Sequence, residues 1–387
     1  MKSSRGKAAS MPDTPYQRLA QHLDGLPGGF PATDGGVELR ILKRLFTPQQ
    51  AELACHLTLL HETPAVIALR AGSHETVVAP QLADMADRGL IFSKGENRGS
   101  PTYMAAQFAV GIWEYQVGRL TRGLAKDMER YIPHLLNQHT WRKAPQMRVV
   151  PVARSIDVRQ EILTHERAAA LVEGQNDFTL MPCICRKERG LLDQACSKPV
   201  ETCIAFSGAG DYFQRTGAGR PASRDEILDL LHQADRAGLV IQPSNSKKAG
   251  WICCCCGCCC GVLRTLESDP QPARLVASPF AAVMAKAACN GCGICMQRCQ
   301  MDAFIKIADG VHLDPGRCIG CGLCVSTCPT KALNLVRKPP EEQPMVPPNV
   351  AASMLHLAWK RRRTGPAALL RLVAASQKDR LRVRLKA

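Results

Sequence analysis

Apolar residues recur every three or four positions along much of the first half of this chain, the period of an α-helix with one buried face. In "TPQQAELACHLTLL" (47–60), Thr47 precedes Pro48, Glu52 falls in the first turn, and Leu53, Leu57 and Leu60 share a face, which predicts one helix. "PAVIALRAG" predicts a second, short helix. "ETVVAPQLADMADRGLI" predicts a third, with Val78, Leu82 and Met85 in register before Gly89 stops it. Two strand-like pieces around "GENRGS" then predict a hairpin. The helical period returns over 111–138 through Ile112, Trp113, Val117, Leu120, Leu124, Met128 and Tyr131, a stripe that reads as core because nothing reactive lies on it. Further on, "SRDEILDLLHQADRAGLV" is a helix capped by Ser223, with Glu226 three residues later and Gly238 at its end.

These elements predict a multidomain α+β chain. Residues 1–36, rich in Gly, Pro, Ser and Thr and without apolar period, are expected to be a mobile arm. The order of helices and hairpin over about 47–106 resembles a winged-helix domain, so 37–110 is expected to be winged-helix-like, followed by a helical connector over 111–150. A Cys-rich domain over 151–280 and a duplicated Cys-bearing segment over 281–338 come next. "PPEEQPMVPP", within a Pro-rich linker at 339–350, predicts a semi-rigid spacer, and 351–387 is a basic tail.

The duplicated segment carries the clearest chemistry. "CNGCGICMQRCQMDAF" and "CIGCGLCVSTCPTKAL" each hold Cys-x2-Cys-x2-Cys-x3-Cys: Cys289, Cys292, Cys295 and Cys299, then Cys318, Cys321, Cys324 and Cys328. Three thiolates spaced three apart wrap three corners of a cubane in one loop, and Gly291, Gly293, Gly320 and Gly322 free the backbone to approach its sulfides. Four-cysteine zinc sites usually need only two Cys-x2-Cys pairs around a longer insert, so the duplicated triplets favour clusters. The segment resembles bacterial two-cluster [4Fe–4S] ferredoxins. That resemblance implies Cys289, Cys292, Cys295 and Cys328 on one cluster, and Cys318, Cys321, Cys324 and Cys299 on the other. Gln300 departs from the pattern where the second run has Pro329, without removing a ligand. "FIKIADGVHLD" between the halves predicts a hairpin covering the clusters.

Eleven more cysteines precede it: Cys183, Cys185, Cys196, Cys203, Cys253, Cys254, Cys255, Cys256, Cys258, Cys259 and Cys260. All are candidate ligands of an additional site. Neighbouring Cα atoms stand about 3.8 Å apart, below the roughly 4.4 Å usual for a disulfide, so bonding between direct neighbours would be strained and a ladder of vicinal disulfides is disfavoured. In an extended "WICCCC", Cys253 and Cys255 face one side and Cys254 and Cys256 the other. One face therefore offers two thiols, with Cys183 and Cys185 expected to supply two more from a neighbouring strand. Arg186 is placed to donate to cluster sulfur or to an anion. The combination of "PCICR", "ETC" and the cysteine run with a terminal ferredoxin segment resembles a group of 4Fe–4S proteins of anaerobic metabolism, which implies electron transfer and supplies no substrate. Cys55 reads as core.

Twenty cysteines without an export signal suit the reducing cytoplasm and metal rather than disulfides. The longest apolar stretch, "LVASPFAAVMAKAA", is too short to span a bilayer and is broken by Pro279 and Lys286. Of the formal net charge of +16, the tail contributes ten Lys or Arg against Asp379, a surface suited to an acidic redox partner or an anionic membrane face. DNA binding is disfavoured, because the would-be recognition helix holds Glu75, Asp84 and Asp87 against Arg88. The expected function is single-electron relay through two [4Fe–4S] clusters, with a further iron–sulfur cluster in the Cys-rich domain. The alternatives are a reductase subunit with a catalytic Cys-rich centre and a redox-sensing winged-helix regulator. No nucleotide fingerprint or hydrolase elbow is present, and no catalytic residue stands out.

Overall fold

The computed structural model describes residues 14–95, 101–136, 144–155, 163–308, 310–361 and 366–386. The chain opens with an ordered helix, α1 (Pro15–Gly25), which corrects the expected mobile arm from residue 14 on; residues 1–13 lie outside the described residues. A capping box forms it: the Thr14 hydroxyl accepts from Gln17 N, and Gln17 Oε1 accepts from Thr14 N at 2.8 Å. Leu19, Leu23, Leu26 and Phe30 are buried, so a short apolar period hidden among Gly and Pro was enough.

Then follow α2 (Val37–Leu45), α3 (Pro48–Ala54), α4 (Pro64–Ala71), α5 (Glu75–Asp87) and an antiparallel hairpin of β1 (Ile91–Lys94) and β2 (Thr102–Ala105). The helix expected over 47–60 ends at Ala54. Past it, Ala105 N donates to Thr58 O at 2.8 Å, and Glu62 and Tyr103 exchange backbone hydrogen bonds, so pairing with the hairpin overrides local helix propensity. The hairpin tip at 96–100 lies outside the described residues. The helix expected over 111–138 is also divided, into a short turn at Trp113–Tyr115 and α6 (Arg122–Leu135), whose start Thr121 caps by accepting from Leu124 N. Most of the predicted stripe is buried as expected, Leu120 being partly exposed.

The Cys-rich part is built on a five-stranded antiparallel sheet of β3 (Phe178–Pro182), β4 (Glu201–Phe206), β5 (Arg220–Pro221), β6 (Val240–Pro243) and β7 (Trp251–Cys255), in the order β5-β3-β4-β7-β6. Helix α7 (Ile184–Leu191) leaves β3 directly, α8 (Arg224–Arg236) packs on β3, β4 and β6, and α9 (Gly261–Glu267) follows the cysteine run. In the next segment β8 (Phe280–Met284) pairs with β11 (Leu333–Arg337), and β9 (Phe304–Ile307) pairs with β10 (Gly310–Leu313) as the expected hairpin, with α10 (Ile294–Arg298) between β8 and β9. Asp309 in its turn is outside the described residues.

The Pro-rich linker, expected as a semi-rigid spacer, is held against the Cys-rich part. Lys247 N and Lys248 N donate to Pro347 O and Pro348 O at 2.8 and 3.0 Å. The basic tail forms α11 (Val350–Lys360) and α12 (Pro366–Lys386) and folds back on the first domain. Arg361 donates to Leu26 O and pairs with Asp24, each at 2.9 Å, while Ser376 donates to buried Glu62 at 2.6 Å and Asp379 pairs with Arg70 at 3.1 Å. Among the described residues, no helix is long and apolar enough to cross a membrane.

Candidate metal centres

In the duplicated segment, Gly291, Gly293, Gly320 and Gly322 occupy matching positions of the two runs, all with φ between +69° and +75°. A side chain at Gly320 would run into Phe280 O and one at Gly322 into Ser155, so the second loop is pressed against the protein by its glycines. Cys299 leaves its own run. It lines a cavity with Cys318, Cys321 and Cys324, closed by Ala282, Met301, Phe304 and Leu323. Backbone donors point at two of these sulfurs: Ala282 N lies 3.3 Å from Cys318 Sγ, and Ala303 N lies 3.3 Å from Cys299 Sγ. Burial pushes the Cys321 thiol up to about 12 and Cys324 higher still, so as free thiols they would stay protonated. Four converging sulfurs with amide donors fit a thiolate-held cluster, whose charge those amides would offset.

The first run sits nearer solvent. Cys292 is exposed, while Cys289, Cys295 and Cys328 pack against one small core that includes Phe304 and Val311. Cys289 and Cys292 are close enough to Cys295 for their charge to raise its thiol, behind the larger effect of burial.

The eleven upstream cysteines divide into two groups and one outlier. In the first, thiol-to-thiol contacts run in a closed ring through Cys183, Cys185, Cys260, Cys255, Cys253 and Cys203. Antiparallel register builds half of it: Cys203 on β4 stands opposite Cys253 on β7, and Cys255, two residues on, shares that face. Cys183 and Cys185 do not come from a neighbouring strand, as expected from their spacing; Cys183 caps α7 and Cys185 lies in its first turn. Cys260, at the start of α9, closes the ring from the other side.

The second group is Cys196, Cys256, Cys258 and Cys259, whose sulfurs all lie within 4.8 Å of one another. A tight turn collects three of them, with Cys260 N donating to Cys256 O at 3.0 Å. Cys196 arrives from the loop after α7, its Sγ 4.0 Å from Cys256 Sγ. Hydrogen bonding from Cys259 holds the Cys256 thiol down to about 5 against its own burial, with the Arg186 charge adding to the effect. The outlier, Cys254, points to the opposite face of β7 and packs in the core, its thiol pushed up to about 12 by burial. Cys55, at the end of α3, is half-buried as expected for a packing residue and donates to Ala51 O at 3.3 Å.

Arg186 lies between the two groups and is buried. Its Nη1 donates to Thr202 Oγ1 at 2.5 Å and Nη2 to Cys254 O at 2.9 Å, while Nε has no partner. Burial opposes its charge, and Cys183, Cys256 and Cys255, as thiolates, favour its protonated form; no carboxylate among the described residues pairs with it. Glu188, two residues further along α7, is fully buried with neither carboxylate oxygen hydrogen-bonded. Neither Cys260 nor Cys196 had a local spacing that tied it to its group.

A model of the 4Fe-4S binding domain family matches residues 311–334, so the chain carries an iron–sulfur segment of ferredoxin type that holds at least one 4Fe-4S cluster. No curated protein and no solved structure matches the chain.

Proposed function

We propose that this protein relays single electrons through two [4Fe–4S] clusters to or from a redox partner. Cys318, Cys321, Cys324 and Cys299 hold one cluster, and Cys289, Cys292, Cys295 and Cys328 hold the other. The carrying observation is the cavity that gathers Cys299 with three thiols of the opposite run, the crossed arrangement a two-cluster ferredoxin uses. Bound clusters supply one-electron chemistry on iron. The chain contributes thiolates, amide donors at Cys318 and Cys299, and a wall of Met301, Phe304 and Leu323 that excludes water from the second site. The six-thiol ring in the Cys-rich part takes a further iron–sulfur cluster, with Arg186 as its buried counter-charge.

A reductase subunit is the second reading, favoured by the unpartnered Glu188 one turn from Cys185, a buried proton source beside a thiol centre. The winged-helix-like first part receives support from the helix-rich order ending in β1 and β2 and from the Glu62–Tyr103 bridge that adds a third strand position. A DNA-reading role for it stays last, since Arg88 is engaged with Gln50 Oε1 and Leu45 O rather than offered to phosphate. A reducing compartment such as the cytoplasm suits these thiols. An acidic partner or an anionic membrane face suits the exposed side of α12.

The test is iron and acid-labile sulfide analysis of the full-length chain after anaerobic reconstitution, with EPR of the reduced protein. About eight irons and eight sulfides for the ferredoxin pair alone are expected, and fewer than about eight irons in total overturns the two-cluster relay.

A further inference from the structure

The separation of thiol sulfurs distinguishes one metal ion from a cluster. A tetrahedral ion with metal–sulfur bonds of about 2.3 Å sets its ligand sulfurs about 3.8 Å apart. A cubane holds its thiolates wider, because four irons and four sulfides stand between them. Cys258 Sγ and Cys259 Sγ are 3.7 Å apart, Cys196 Sγ and Cys256 Sγ are 4.0 Å apart, and no pair in the group exceeds 4.8 Å.

We propose that Cys196, Cys256, Cys258 and Cys259 bind one thiophilic divalent ion, iron(II) or zinc(II) in class, in a mononuclear tetrahedral site separate from every cluster of the chain. A disulfide within the vicinal pair is a poor rival. The vicinal pair Cys258 and Cys259 makes a strained disulfide, because adjacent Cα atoms stand only about 3.8 Å apart. One ion instead accepts both vicinal sulfurs, since its tetrahedral edge matches their separation.

Arg186, which lies between the two thiol groups, suits a negatively charged site here as well. Its guanidinium is buried, faces Cys256, keeps Nε unpartnered and has no carboxylate among the described residues to balance it. A buried cation without a counter-charge is strongly destabilising. Four thiolates around a divalent ion carry a net charge of −2 and would share with the six-thiol ring the balancing of that cation, whereas four neutral thiols do not. Metal entry has a route, because Cys258 is exposed while Cys256 and Cys259 are buried.

The inference stands without the relay reading, and acid-labile sulfide keeps the two apart, because a mononuclear site contains none. Full-length chain purified anaerobically is assayed for metals and sulfide as wild type, Cys258→Ser and Cys196→Ser. Each variant is expected to lose about one metal ion per chain with sulfide unchanged. Unchanged metal content overturns the proposal, as does a joint loss of iron and sulfide, which makes the group part of a cluster. A second measurement needs no variant: the wild-type chain exchanged with cobalt(II) is expected to show the thiolate-to-metal and d–d bands of a tetrahedral four-sulfur site at about one cobalt per chain. Absence of those bands after cobalt uptake overturns the proposal as well. Loss of iron or of zinc from the variants bears it out equally, iron making the site redox-active and zinc making it structural.

Discussion

The backbone N–H of Gly257 donates to Gln300 Oε1 across 2.7 Å, joining the turn of the four-thiol group to the residue that follows Cys299. Gln300 is the position where the first cysteine run departs from the second, which has Pro329, and the contact gives that departure a role. A Cβ on Gly257 would stand 2.9 Å from Gln300 O. Gly257→Ala is therefore expected to destabilise the chain by about 1–3 kcal/mol through overpacking, read as a lower urea midpoint at unchanged metal content. Gln300→Ala, which leaves the Gly257 donor unpaired, is expected to cost a similar or smaller amount, about 1–2 kcal/mol. A neutral Gly257→Ala would mean that this contact does not hold the two parts together.

Crossed ligation is tested by pairs of substitutions. Cys299→Ser and Cys321→Ser are each expected to lower the cluster signal by about one [4Fe–4S] unit, and the double variant by no more than either alone. Cys299→Ser with Cys292→Ser is expected to lose two units. The opposite pattern, with Cys299 and Cys292 acting as one unit, assigns Cys299 to its own run.

Asp235 fastens the end of α8 to the ferredoxin-type segment. Its carboxylate pairs with Arg298 at 3.0 Å and Arg154 at 2.6 Å and accepts from Ser326 at 3.0 Å, and its side chain is almost wholly buried. Removing one partner of a buried ion pair strands the other charge, so Asp235→Ala is expected to destabilise by roughly 3 kcal/mol. Because Arg298 immediately precedes Cys299, accelerated loss of iron from the Cys299 site is expected in the same variant. Thermal unfolding and iron-release kinetics measure the two effects.

Glu188 gives the chain a pH dependence of its own. Burial, aided by the charge of Glu129, pushes its carboxyl up to about 8 against Arg264 and Arg189. The folded chain then keeps a proton that the unfolded chain releases near 4.5, so this contribution is complete below 4.5 and is lost as pH rises through about 8. The decline runs at about 1.4 kcal/mol per pH unit between those values. Glu188→Gln is expected to remove it, leaving variant and wild type alike near pH 5 and the variant more stable at pH 8. Parallel midpoint curves at the two pH values would show that Glu188 is ionised throughout.

Chemistry repeated over short distances was readable before any folding argument. Cys-x2-Cys-x2-Cys can wrap a cluster within one loop, so Cys289, Cys292 and Cys295, and likewise Cys318, Cys321 and Cys324, stand out as candidate ligands by spacing. Strand alternation separated Cys253 and Cys255 from Cys254 with equal directness, because side-chain direction along a strand is a local property. Helix period located α4, α5 and α8. It overextended α3, since the choice between helix and edge pairing at 58–62 depends on β2, more than forty residues later.

Partnership among the thiols was not a local property. Cys203 meets Cys253 only through the antiparallel register of β4 and β7, and Cys196 reaches Cys256 across 60 residues of chain. The run "CCCCGCCC" by itself specifies an abundance of soft ligands and which of its strand residues share a face. Its division between a six-thiol ring, a four-thiol group and a core residue was decided by where β4, α7 and α9 bring other side chains, because a metal site is defined by sulfurs converging in space rather than by order along the chain.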